Sequence, residues 1–173
     1  MDIKYRQVCA EDGYEWYRLL SRVWRASYAH ILPKEYFDAR DRSVESRAAE
    51  FTVETFAGER KIAYVAEHDG KIVVLVFGTL DSNYDHFKGD YADLVALYVY
   101  PEYQGIGIGT ALKDIFAEWA RTMKAERYVI GVLKENHRAR RVYESWGGKL
   151  SDYEQDYMIM GKGYPEVFYV FEL

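Results

Sequence analysis

Cysteine is nearly absent from this chain. Cys9 stands alone among 173 residues, so no disulfide can close within it, and the setting this implies is reducing and cytoplasmic. Long apolar runs are absent too. None approaches the ~18 residues that a membrane helix needs, which predicts no membrane span. The opening residues, MDIKYRQVCAEDG, lack the hydrophobic stretch of a signal peptide. There is no excess of positive charge. The net charge is −5 and the isoelectric point about 5.4, which argues against a nucleic-acid partner. His30, His68, His86 and His137 are scattered and show no metal-ligand spacing, so no metal is expected. Repeats, linkers and low-complexity segments are also missing.

What is there is a chain 49% apolar, long enough for one domain with a full core and short for two. A single domain over residues 1–173 is expected. Residues 3–8 read as a first strand. AEDG then opens a helix on which Trp16, Leu19, Leu20, Val23, Trp24 and Ser27 form one stripe. Pro33 restarts the chain, and a second helical stretch is expected from about 34 to 57, with Val44, Ala48 and Phe51 on one face and Gly58 as its stop. KIAYVAEH and KIVVLVFGTLD, joined by Asp69-Gly70, predict a β-hairpin. YADLVALYVY is nearly continuous in apolar residues and reads as a strand buried on both faces. Leu112, Ile115, Phe116, Trp119, Ala120 and Met123 mark the cleanest helix. RYVIGVL is a strand, and NHRARRVYESWG a helix with Asn136 as N-cap and Gly147 as its stop. The tail PEVFYVFEL alternates and predicts a last strand. The order is β-αα-βββ-α-β-α-ββ, a mixed α/β domain.

Between the apolar strand and the cleanest helix lies QGIGIGT, residues 104–110. Backbone N–H groups at a helix N-terminus bind anions, and glycines let a ligand come close. On the glycines alone, a phosphate cradle and a plain tight turn are both open. A P-loop needs Lys-Ser/Thr after its last glycine, but Thr110 and Ala111 follow Gly109. The dinucleotide fingerprint wants a glycine at 110.

The constellation resembles the GNAT superfamily of acetyl-CoA-dependent N-acetyltransferases. Gln104, Gly107 and Gly109 stand in that family's Gln/Arg-x-x-Gly-x-Gly/Ala frame. Asn136, Ala139, Tyr143 and Gly147 match its second block, and one helix and one strand separate the two. Gly148 departs from the pattern, since the family often has an aromatic residue there. The resemblance implies a sheet of six to seven strands, mostly antiparallel, with a splayed parallel pair near Leu97 and Ile130 that binds the cofactor.

It also implies direct attack of an amine on the acetyl thioester, with acetyl-CoA as co-substrate. Only about one alkyl amine in a thousand is neutral at pH 7, so a base must take a proton. Backbone groups of Leu97, Tyr98 and Val99 would hold the pantetheine and polarise the thioester. The turn of Gln104, Gly105, Ile106, Gly107, Ile108, Gly109 and Thr110 would hold the pyrophosphate. Asn136 would bind the pantetheine arm, Arg138 would reach a phosphate, and Tyr143 would protonate the leaving sulfur. Asp93 falls where a lysine-acetylating branch has a glutamate base, though one methylene shorter; Glu67 and Asp81 are weaker rivals. Tyr143 could equally be core by its helical spacing, and Asp93 a structural carboxylate. Trp24, Tyr28, Tyr36, Tyr153 and Tyr157, with Glu154 and Asp156, suit a cationic acceptor, either a small amine, a polyamine or a peptide N-terminus. A non-catalytic acyl-CoA-binding domain is the alternative, and a homodimer stays open beside a monomer.

Overall fold

A computed structural model describes all residues, 1–173. Its elements are β1 (Lys4–Gln7), α1 (Gly13–Tyr28), α2 (Lys34–Arg42), α3 (Val44–Ala49), α4 (Val53–Phe56), β2 (Lys61–His68), β3 (Lys71–Thr79), β4 (Ala92–Val99), α5 (Ile108–Thr122), β5 (Arg127–Leu133), α6 (His137–Ser145), β6 (Lys149–Ile159) and β7 (Lys162–Glu172). The seven strands form one sheet in the order β1-β2-β3-β4-β5-β7-β6. Every neighbour pair is antiparallel except β4–β5. The expected mixed α/β architecture and its single parallel pair are present.

The β2–β3 hairpin turns at Asp69 and Gly70, with φ of 49° and 73°. Two consecutive positive φ values give the twist that a two-residue hairpin needs. On α5, Leu112, Phe116 and Ala120 are fully buried. Phe116 fills the space over Gly78, where a Cβ would lie 2.3 Å from its ring. On α1, Trp16, Leu19 and Val23 join the same core.

The helical stretch expected from 34 to 57 is three short helices instead. Ser43 breaks the first by donating its hydroxyl to the Arg40 carbonyl (2.8 Å). Thr52, in extended conformation, starts the last. The bends let Phe51 and Phe56 both pack on Trp16, at ring distances of 6.1 and 4.9 Å. Two further expectations need correction. β7 does not alternate: it lies between β5 and β6, and Glu166 to Tyr169 are buried without a break. β4 is buried at Ala92, Asp93 and Leu94, but Val95 is 39% exposed and the rest of the strand is half-buried. That change along one strand marks the site.

Candidate active site

β4 and β5 pair at only two positions, Ala92↔Tyr128 and Asp93↔Val129. Beyond them the strands part. β4 keeps β3 on its other edge as far as Val74↔Val99, so one row of its peptide groups faces the gap without a strand partner. Gln104 occupies one of them, its Nε2 donating to the Val99 carbonyl at 2.9 Å. A cavity of about 490 Å³ opens here, lined by Leu97, Tyr98 and Val99 of β4. Gln104, Gly105, Gly107, Gly109 and Thr110 continue the wall, and Asn136, Arg138, Ala139 and Tyr143 close it from α6. Val23, Ser27 and Tyr28 of α1 complete it.

The three glycines of the turn divide into two roles. Gly105 and Gly107 have φ of 80° and 89°, and a Cβ on either would meet only open space. Gly107 caps α5 with no side-chain acceptor for the first-turn N–H groups. Those donors and the helix dipole therefore face the cavity free. Gly109 has ordinary backbone, and its bareness serves packing: a Cβ there would sit 3.1 Å from Val99. The Ile106 side chain is exposed and that of Ile108 is in the core. Neither lines the cavity, so only their backbone N–H groups can serve a ligand.

Asn136 caps α6, its Oδ1 accepting the Ala139 N–H at 3.2 Å. Its amide nitrogen faces the Tyr28 hydroxyl at the cavity wall. Trp146 ties the end of α6 to the turn by donating Nε1–H to Thr110 Oγ1 at 3.2 Å. Arg138 is exposed at the cavity edge and forms no ion pair. The Tyr143 ring packs on Trp146 and Tyr169, at 5.7 and 5.8 Å. Burial, then the nearby Tyr98 hydroxyl, pushes its own hydroxyl well above the usual phenol range. It therefore carries its proton at neutral pH. Tyr28 stands beside it, raised by burial and by Tyr143, with Asn136 opposing.

Asp93 does not line this cavity. It is 1% exposed, and its Oδ2 accepts the Ser82 hydroxyl (3.0 Å) and the Asn83 N–H (3.3 Å). Oδ1 has no partner. Burial pushes the carboxyl up to about 6, against those two hydrogen bonds. Glu67 pairs with Arg6 and Asp81 with Arg60, both away from the cavity.

The expected acceptor residues come together only in part. The Trp24 ring lies 4.8 Å from Tyr28, 5.9 Å from Tyr36, 6.4 Å from Tyr98 and 6.3 Å from Tyr157. Arg40 joins them unexpectedly, its guanidinium 4.7 Å from the Trp24 centroid and donating to the Tyr36 hydroxyl at 3.1 Å. Two buried donors in this pocket, Trp24 Nε1 and Arg40 Nε, have no partner. Tyr153 lies elsewhere, stacked on His86 at 4.1 Å. Glu154 pairs with Lys134 (2.8 Å), and Asp156 packs over Gly163. Glu166 is the carboxylate that sequence reading passed over. The one signal for it was a charged residue heading the apolar run VFYVF. No group of three His, Cys, Asp or Glu side chains is placed to hold a metal ion. No helix is long and apolar enough to cross a membrane.

A strand parting from its parallel neighbour beside a glycine-capped helix is a ligand site of a known kind. The profile of the acetyltransferase (GNAT) family matches residues 14–148. The chain belongs to this family. No curated protein matches the sequence, but solved structures share the GNAT fold. PaiA N-acetyltransferase from Thermoplasma acidophilum, solved with coenzyme A, is 18% identical with a TM-score of 0.74, over 96% of this chain and 98% of its own. Ribosomal-protein-alanine N-acetyltransferase from Brucella melitensis is 18% identical with a TM-score of 0.66, over 98% and 99%. YncA from Salmonella typhimurium, solved with its cofactor acetyl-CoA, is 16% identical with a TM-score of 0.65, over 99% and 94%.

Proposed function

We propose that this GNAT protein moves an acetyl group from acetyl-CoA to the nitrogen of a primary amine. One arrangement carries the reading: a single cavity joins the free N-terminus of α5, the unpaired edge of β4 and the Tyr143 hydroxyl. The N–H groups from Gly105 to Thr110 would hold the pyrophosphate, a task that suits a turn with open space over Gly105 and Gly107. Arg138 would add a cation at the rim. The orphaned Gln104 Oε1 and the Asn136 amide, which also faces the Tyr28 hydroxyl, would offer polar contacts along the pantetheine. Backbone N–H groups of Leu97–Val99 would stabilise negative charge on the thioester oxygen as it develops. Tyr143, held protonated by its surroundings, would donate to the departing sulfur. The acceptor would approach from the aromatic pocket of Trp24, Tyr36 and Tyr157, since Tyr28 and Tyr98 belong to both spaces.

The test has two stages. Acetyl-CoA should raise the melting temperature of the purified protein. Release of free thiol from acetyl-CoA should then depend on one member of a panel of primary amines. Stabilisation without amine-dependent thiol release across diamines, amino acid amides and short peptides would favour the non-catalytic acyl-CoA binder.

A further inference from the structure

Glu166 is a buried carboxylate with no cationic partner. It is 5% exposed and belongs to no ion pair. Its Oε1 accepts the Tyr84 hydroxyl at 3.0 Å, and its Oε2 accepts the Gln155 amide at 3.0 Å. Both donors are neutral. A buried charge is costly unless something compensates it, so packing alone does not account for a carboxylate here.

Its position is informative. Side chains two apart on a strand share a face. On β7 that puts Glu166 between Tyr164 and Phe168, and on β5 Gly131 between Leu133 and Val129. Leu133 and Tyr164 belong to the cluster that holds Trp24 and Tyr28. Val129 and Phe168 belong to a separate cluster built on Phe87. Glu166 stands at the junction, on the face that carries the aromatic pocket. Gly131 is bare to make room: a Cβ there would lie 2.6 Å from the Tyr84 hydroxyl and 2.8 Å from Glu166 Oε1. It lies beyond the last β4–β5 pair, where the strands have parted. Burial first, and Glu166 among the lesser causes, raises the hydroxyls of Tyr28 and Tyr157, the first lining the cofactor cavity and the second partly open to solvent.

We infer that Glu166 takes the proton from the acceptor, and that the acceptor is a primary amine entering as its ammonium ion between Trp24 and Tyr157. This rests on the acetyltransferase reading above. The ammonium gives one proton to a Glu166 oxygen, and the freed lone pair forms the C–N bond to the acetyl carbon. The C–S bond breaks and its electron pair leaves on sulfur. Tyr143 gives that sulfur a proton and regains one from the acylated nitrogen, while Glu166 returns its own to solvent. The titratable groups facing Glu166 are Tyr84 from the loop before β4, Asp93 from β4, Tyr28 from α1 and Tyr157 from β6. The tyrosines are all raised and neutral at working pH, so the acidic limb of activity reports a carboxylate. Burial raises Glu166, opposed by Gln155 and Tyr84.

The experiment compares wild type, Glu166→Gln, Glu166→Asp and Asp93→Asn across pH, with the best amine of the panel above. In Glu166→Gln, kcat/KM for the amine should fall at least about 100-fold and its acidic limb should vanish. Acetyl-CoA affinity should stay within about twofold, because the residue lies outside the cofactor cavity. Glu166→Asp should keep the limb and part of the rate. A wild-type profile in Glu166→Gln would overturn the inference, as would loss of the limb in Asp93→Asn alone. Should Glu166→Gln fail to fold, Glu166→Asp decides, and a rate within about twofold of wild type overturns the proposal. If the wild type does not bind acetyl-CoA, the acetyltransferase reading fails and takes this inference with it.

Discussion

The Tyr143 hydroxyl makes no hydrogen bond inside the protein, although its ring is packed on Trp146 and Tyr169. Tyr143→Phe keeps the packing and removes only the O–H. Stability should hardly change, since no internal hydrogen bond is lost. Under the proposed role kcat should fall about 100-fold, in the range of a general acid, with acetyl-CoA affinity unchanged. Wild-type turnover in a stopped thiol-release assay would return Tyr143 to the core. Asp93 makes a stability prediction with the opposite character. Burial lifts its carboxyl from 3.8 to about 6. Below about pH 3 the group is protonated in both states and carries no penalty. As pH rises to about 6 the unfolded chain ionises first, so the native state loses stability, by up to about 3 kcal/mol. Above that range the loss is constant. Other carboxylates titrate in the same window, so the quantity to measure is the difference between wild type and Asp93→Asn in denaturant melts from pH 4 to 8. That difference should move in favour of the variant as pH rises; a pH-independent difference would refute it. At this scale the sequence was legible where a motif fixes chemistry and spacing together. Gln104, Gly107, Asn136 and Tyr143 meet in one cavity for that reason. The surroundings of Glu166 were not legible, because Tyr84 lies 82 residues away along the chain and Gln155 reaches it only through the pairing of β6 with β7. Gly148 gains its reason only in three dimensions: a Cβ there would sit 2.5 Å from Phe171. That ring, stacked on Tyr128 at 4.5 Å, fills the space an aromatic residue would take.

Elements that line a cavity mislead sequence reading in a regular way. β4 has the composition of a strand buried on both faces, yet its second half lines the cavity. An apolar surface kept for a ligand looks like core until the fold is known. The 34–57 helix failed for a different reason. The apolar period runs through Ser43, and local periodicity contains no instruction to bend toward Trp16. The place of the turn before α5 was legible because its glycines state a backbone requirement directly. Gly107 has φ of 89° with open space above it. Gly107→Trp should fill that space and weaken acetyl-CoA binding at least tenfold, about 1.4 kcal/mol. Backbone strain must be separated from obstruction. Gly70 is a fair control, with φ of 73° and nothing near its Cβ position. Gly70→Trp should carry similar strain in the β2–β3 hairpin and leave acetyl-CoA affinity as it was. Equal losses in both variants by calorimetry would assign the effect to strain and count against the cradle.

Across the whole molecule, the sheet is two blocks with a thin seam. β1 to β4 form one and β5 to β7 the other, and only two register pairs join them. The count of strands and the one parallel pair were readable, because two family blocks with one helix and one strand between them imply a crossover. The insertion of β7 between β5 and β6 was not, since sheet order depends on pairing between distant segments. A ligand seated in the seam would contact both blocks, with β4 and the α5 turn on one side and α6 on the other. Such a ligand binds the native state alone, so it stabilises by mass action: about 2.7 kcal/mol at a hundred times its dissociation constant. For a chain of this size that is a rise of about 5–10 °C in melting temperature. The protection should also have a pattern. Amide exchange should slow most at Leu97–Val99, at the α5 N-terminus and at the start of α6, where the ligand bridges the seam. It should change little in the β2–β3 hairpin, which is paired along its length already. Hydrogen exchange with and without acetyl-CoA tests this directly. Uniform slowing over the whole chain would mean global stabilisation without a specific seat in the seam. Slowing confined to one block would mean that the ligand does not span it.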